Sequence, residues 1–125
     1  MLNKKIIVNN YGAHWNITGD NFSELHLLFQ DMYEQLADIF DDIAERIRQL
    51  NGFVDTIDID NTIGGMKDQD TIIRFLVDNY IEVIRNLKED IKYTTEADDY
   101  GTANMLTDIL QKHDKMLWKL KSYIK

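Results

Sequence analysis

Three histidines and a set of acidic side chains offer this sequence its chemistry: His14, His26 and His113, with Asp41 and Glu45 on the same helical face as His26. At about 100° per residue, with His26 at zero, Gln30, Asp41 and Glu45 fall at about 40°, 60° and 100°. Imidazole and carboxylate are the ligand types that iron, manganese and zinc accept. The spacing sets a condition, because fifteen residues of helix separate His26 from Asp41 by about 22 Å. Metal–ligand bonds are about 2 Å long, so one chain cannot bring both residues to one ion. An antiparallel copy of the same helix removes the conflict. Around a two-fold axis the His26 end of one chain faces the Asp41 and Glu45 end of the other, and two identical sites form. The sequence has no Glu-x-x-His pair, which would let a four-helix bundle close a two-metal site within itself. His113, among Lys112, Asp114 and Lys115, is expected at the surface.

Four segments must position these residues. No proline interrupts any of them. They run over about Lys4–Ile17, Phe22–Leu50, Asp68–Thr95 and Thr102–Tyr123. Breaks are expected at Gly19, at Gly52, at Gly64-Gly65 and at Gly101. In the second segment Leu25, Leu28, Phe29, Met32, Tyr33, Leu36, Ile39, Phe40, Ile43, Ala44, Ile47 and Leu50 share one face, opposite Glu34, Asp38 and Asp42, which defines a long amphipathic helix. Asn21 and Glu24 have the spacing of a capping box. Ile73, Leu76, Tyr80 and Leu87 repeat the pattern in the third segment, and Leu106, Ile109, Leu117 and Leu120 in the fourth. Between the second and third segments, Val54–Asp60 alternates like a strand but has no partner, and reads as a loop or short crossing helix. Asp58–Thr62 has the look of a calcium loop, but Ile63 and Gln69 stand where glycine and glutamate are required. The expectation is all-α: one domain over residues 1–125, a four-helix bundle of up-down-down-up type with a short first helix and a long connection between helices two and three.

Composition agrees. The 125 residues carry a formal net charge of −8, with 29% charged and 44% hydrophobic residues. That is the balance of a globular chain rather than a disordered one. The sequence pI of about 4.7 argues against general nucleic-acid binding and favours attraction of cations. The absence of cysteine excludes thiolate and disulfide chemistry. No apolar run is long enough to span a membrane, and the first residues are too short of apolar character for a signal-peptide core.

The stretch His14-Trp15-Asn16-Ile17-Thr18-Gly19-Asp20-Asn21-Phe22, then Leu25-His26, Asp41 and Ala44-Glu45-Arg46-Ile47, resembles the signature of the Dps mini-ferritins, which protect bacterial DNA during starvation. Asp99, Thr102, Leu106 and Lys112–Leu120 with Trp118 resemble the family's last helix, so that the likeness covers about residues 11–125. It implies a ferritin-like bundle, assembled as a dimer within a hollow dodecamer. It also implies a stress-response, iron-storage function in the cytoplasm, with the nucleoid as a site of association. The activity implied is a ferroxidase: Fe(II) oxidised with hydrogen peroxide and stored as Fe(III) mineral. His14 and His26 from one subunit, and Asp41 and Glu45 from its partner, would hold the iron. Glu45 would bridge two metal positions, and Trp15 would lie beside the site, its alternative being a core aromatic. The family carries an aspartate four residues beyond the second histidine. Here Gln30 stands there, a neutral and weaker ligand, so the second metal position is expected to be weak. Asn104 and Tyr100 stand where acids commonly line the family's iron-entry pores, and the lead before His14 is short. DNA binding is expected to be weak or absent. The competing expectation is a Dps-like shell with impaired ferroxidase activity, serving as a structural or DNA-associated stress protein.

Overall fold

The computed structural model describes residues 4–54 and 66–124. They form four helices: α1 Lys4–Asn16, α2 Phe22–Gln49, α3 Gln69–Glu96 and α4 Tyr100–Lys121. The alternating segment and the failed calcium loop fall outside the described residues from position 55 onward.

Two short turns make α1–α2 and α3–α4 antiparallel hairpins. The direction of α3 relative to α2 follows from what meets at each end. Thr18 donates to the Lys67 carbonyl from its backbone N–H (3.1 Å) and its hydroxyl (2.8 Å), which places the start of α3 beside the start of α2. At the other end Arg46 reaches Asp99 (3.3 Å) and Thr102 (3.0 Å) at the start of α4. Helices α2 and α3 therefore run the same way. This is the expected up-down-down-up order.

The core follows the helical period. Leu25, Phe29, Met32, Leu36, Ile39 and Ile43 of α2 are buried against Ile73, Leu76, Tyr80 and Leu87 of α3 and against Leu106, Ile109, Met116 and Leu120 of α4. Helix α1 docks partly through polar contacts. Asn9 and Asn10 are fully buried. Asn9 donates to Asn79 Oδ1 (3.1 Å), while Asn10 donates to the Ile6 carbonyl and accepts from the Tyr80 hydroxyl (3.4 Å). Each buried amide thus has a partner, as its desolvation requires.

His113 corrects an expectation. It is 2% exposed, on the core face with Ile109 and Met116, and its Nδ1 donates to the Ile109 carbonyl at 2.9 Å. Its charged sequence neighbours are turned about 100° away on either side, so they say little about its own face.

The helix ends differ from the sequence expectation too. Asn21 makes no side-chain cap to α2; its amide instead contacts Gln69 Oε1 at 3.5 Å. At the other end Asn51, not Gly52, takes the left-handed conformation (φ 70). Gly52 N–H then bonds to the Ile47 carbonyl and Asn51 N–H to that of Arg48, a Schellman ending. Asp98 (φ 60) ends α3 in the same way, and Asp99 at once caps α4 by accepting from Thr102 N–H at 3.3 Å. Gly101 is no break. It lies inside α4, where an added Cβ would stand 2.8 Å from an Arg46 guanidinium nitrogen, so its bareness makes room for the α2–α4 contact.

Hydrogen bonding from Thr102, its side chain first, and then the Arg46 guanidinium hold the Asp99 carboxyl below its ordinary value. A depressed carboxyl stabilises the fold above its unfolded pKa, and that stability is lost as pH falls through the folded value. Asp99→Ala should therefore lower stability at neutral pH, because the α4 N-cap is lost. Denaturant titrations should show the deficit shrinking in acid, because the unsubstituted chain also loses the interaction there.

Candidate metal centre

The turn between α1 and α2 is held in place by α3. Gly19 adopts φ 114, and an added Cβ would collide with the Gln69 side chain. With Thr18 tied to Lys67, this folds the end of α1 back onto the second turn of α2 and brings His14 against His26.

The two imidazoles stack with centroids 3.7 Å apart and planes 17° from parallel. Each ring is bound to the other residue's backbone. His14 Nδ1 lies 2.7 Å from the His26 carbonyl oxygen, and His26 Nδ1 lies 2.7 Å from the His14 carbonyl oxygen. A carbonyl only accepts, so both Nδ1 atoms are donors. In the neutral rings both Nε2 atoms are then bare lone pairs, the form a metal ion needs. The His14 carbonyl is available because α1 ends there: Thr18 N–H, its normal helical partner, bonds to Lys67 instead. His14 is buried, at 8% exposure, and His26 is half-buried.

Aromatic rings surround the pair. Tyr33 meets His14 edge-on at 5.3 Å, Tyr11 lies 4.4 Å from Tyr33, and Phe22 stacks on His26 at 5.2 Å. Sequence reading put Tyr33 in the core face and passed over Tyr11. The available signal was their register, because Tyr33 lies two turns beyond His26 and Tyr11 one turn before His14. Trp15 stacks on Tyr11 at 5.7 Å and is 70% exposed, so it is not a core aromatic.

Gln30, one turn beyond His26, donates from Nε2 to Glu34 Oε1 at 3.2 Å. That engages the amide's nitrogen and leaves its carbonyl oxygen as the only atom able to face a cation. Asp41 and Glu45 are exposed on the far half of α2, one turn apart. Glu45 is raised above its ordinary value, first by a hydrogen bond with the Asp41 carboxyl and then by the Asp41 charge. Two carboxylates at this spacing repel one another, and a divalent cation would relieve that repulsion. One chain does not unite the two halves. Among the described residues no group of three histidine, aspartate or glutamate side chains is placed to hold one ion.

The four-helix bundle is that of the ferritin-like class. The ferritin-like domain model matches residues 7–125. The chain is 30% identical over 128 residues to a low temperature-induced protein of Nostoc, covering 95% of this chain and 72% of that one. Among solved structures, Dps from Thermosynechococcus elongatus superposes with a TM-score of 0.89 at 27% identity, covering 96% of this chain and 81% of that one. Dps from Vibrio cholerae, described as a member of a broad superfamily of ferritin-like diiron-carboxylate proteins, gives 0.86 at 25% identity, covering 96% and 80%. The chain belongs to the Dps mini-ferritin family. No helix among the described residues is long and apolar enough to cross a membrane.

The reciprocal hydrogen bonds make a spectroscopic prediction. Nitrogen NMR of the metal-free protein at mildly alkaline pH should show both His14 and His26 as the tautomer protonated at Nδ1. A histidine in the opposite tautomer would contradict the hydrogen-bond assignment.

Proposed function

We propose that the protein is an iron-storing mini-ferritin that oxidises Fe(II) with hydrogen peroxide at sites shared across a two-fold subunit interface. The observation that carries this reading is the His14–His26 lock, which prepares two imidazole lone pairs at one end of α2. An unneutralised carboxylate pair, Asp41 and Glu45, waits at the other. An antiparallel partner α2 unites them, as the spacing of about 22 Å requires. Apolar side chains around the histidines support such a contact: Trp15 (70% exposed), Leu27 (63%) and Phe22 (43%) want covering.

The division of ligands suits the chemistry. Carboxylates favour Fe(III), while imidazoles suit Fe(II). Two adjacent Fe(II) ions each give one electron to hydrogen peroxide. The O–O bond breaks, two protons are taken up, and two waters form with no hydroxyl radical released. Glu45 would bridge the two irons. The acidic face of α2, with Glu34, Asp38 and Asp42, fits a cation-attracting surface, and the net charge of −8 fits weak DNA binding at most. We place the assembly within a dodecameric shell in the bacterial cytoplasm.

Mixed assemblies test the shared site. A chain with His14→Ala and His26→Ala, and another with Asp41→Ala and Glu45→Ala, should each fail to oxidise Fe(II) on addition of peroxide, followed by absorbance. Co-assembled at random, they should regain activity corresponding to about a quarter of the sites, because each mixed dimer holds one complete site. No recovery in a demonstrably mixed dimer would refute the interface site.

Gln30 favours a reading of the same site as catalytically weakened, because an amide tied to Glu34 replaces a full negative charge. One metal should therefore bind well and the second weakly. Gln30→Asp should tighten the second by about tenfold, as a charge at short range does in a partly buried site. Calorimetry of metal binding reads this directly. Two equally tight metals in the unsubstituted protein, unchanged in Gln30→Asp, would overturn the asymmetry.

A further inference from the structure

Just past the end of α2 stands Asn51-Gly52, and Asn51 is the one asparagine of the sequence that a glycine follows. The pair matters because the main-chain nitrogen of the next residue can attack an asparagine side-chain amide, and glycine leaves that nitrogen unhindered. Every other asparagine precedes a residue with a side chain, and Asn9, Asn10, Asn79, Asn86 and Asn104 also lie within helices, where the backbone is fixed. Asn51 is exposed, and three hydrogen bonds hold its turn closed. Asn51 N–H donates to the Arg48 carbonyl at 3.1 Å and Gly52 N–H to the Ile47 carbonyl at 2.9 Å. Arg48 Nη1 donates to the Gly52 carbonyl at 3.3 Å, and the same guanidinium lies 4.3 Å from the centre of the Phe53 ring. Asn51 is left-handed, with φ 70, and in that region ψ is about +47°. The Gly52 nitrogen is then turned away from the Asn51 side chain, so attack waits on opening of the turn. Such local opening costs least at fraying helix ends.

We infer that Asn51 is a site of spontaneous deamidation, gated by the Arg48 side chain that straps the end of α2. In the opened turn the Gly52 nitrogen forms a bond to Asn51 Cγ. The Cγ–Nδ2 bond breaks, and the Gly52 N–H proton leaves with the ammonia. Water then opens the succinimide ring at either carbonyl, giving aspartate or isoaspartate. The two products differ in fit. Asp98 ends α3 at φ 60 with the same pair of bonds, Asp98 N–H to the Thr95 carbonyl and Asp99 N–H to the Thr94 carbonyl, so an aspartate suits this turn. Isoaspartate adds a methylene to the main chain and cannot keep both bonds. Its formation releases the last turn of α2 from the chain that follows. Neither iron nor a second subunit takes part.

Peptide mapping by mass spectrometry of the intact, metal-free protein, aged in mildly alkaline buffer, provides the test. Asn51 should turn from amide to acid before any other asparagine, as a mixture of aspartate and isoaspartate. The rate should rise with pH, because ring closure needs the Gly52 nitrogen to lose its proton. Arg48→Ala should hasten the reaction about fivefold, the opening cost removed with one exposed hydrogen bond. Should that variant fail to fold, the unsubstituted chain still decides, by which asparagine reacts and by its products. An intact Asn51 when other asparagines have reacted, aspartate without isoaspartate, or a folded Arg48→Ala variant reacting at the unsubstituted rate would each overturn the assignment.

Discussion

The paired hydrogen bonds between His14 and His26 are the contact on which the candidate centre depends. Each ring is oriented by the other residue's main chain, so neither can turn without breaking its hydrogen bond. The contact exists because α1 stops where it does. Had Thr18 continued the helix, its N–H would have taken the His14 carbonyl. Instead Lys67, at the entrance to α3, takes that N–H. The approach of α3 thereby frees the acceptor that fixes His26. Gly19 and Gln69 complete the arrangement by letting the turn press against α3. Three helices thus determine the tautomers of two histidines.

The opposite end of α2 is governed by a different constraint. Arg46 joins it to α4 through Asp99 and Thr102, and this contact needs the bare Cα of Gly101. It fixes the end of the helix that carries Glu45 one residue before Arg46. The histidine half is buried and satisfied by hydrogen bonds, whereas the carboxylate half is exposed and self-repelling. The α1–α2 hairpin presents the histidine pair at one end of α2 and the carboxylate pair toward the other.

Much of this was legible in the sequence because it depended on residue type and helical period. The apolar spacing from Leu25 to Ile43 determined the face of α2, and the separation of His26 from Asp41 showed that one chain could not close the site. What the sequence concealed depended on contacts between segments. His113 looked exposed from its neighbours, although its register with Ile109 and Met116 placed it in the core. Asn21 had the residue type and spacing of a cap, but competition from Gln69 in α3 drew its side chain away. Gly52 and Gly101 looked like breaks. In the structure Asn51 makes the first turn, and Gly101 serves an arginine more than fifty residues away in sequence. The orientation of the histidine rings was likewise invisible, since it rests on main-chain carbonyls that the turn brings within reach rather than on side-chain spacing.

The two halves of the centre also differ in what they need from a second subunit. The histidines are already in ligand form in a single chain, because their Nδ1 donors are satisfied internally. The carboxylates stand differently, exposed and close enough that the Asp41 carboxyl raises Glu45 above its ordinary value. Bringing a partner's histidines against this pair without metal would desolvate an anionic site and offer it only imidazole in return. With a divalent ion present, the same approach supplies the missing ligands and removes the repulsion. Under the proposed shared site, metal binding and subunit contact at this face favour one another, because one ligand set is divided between two chains.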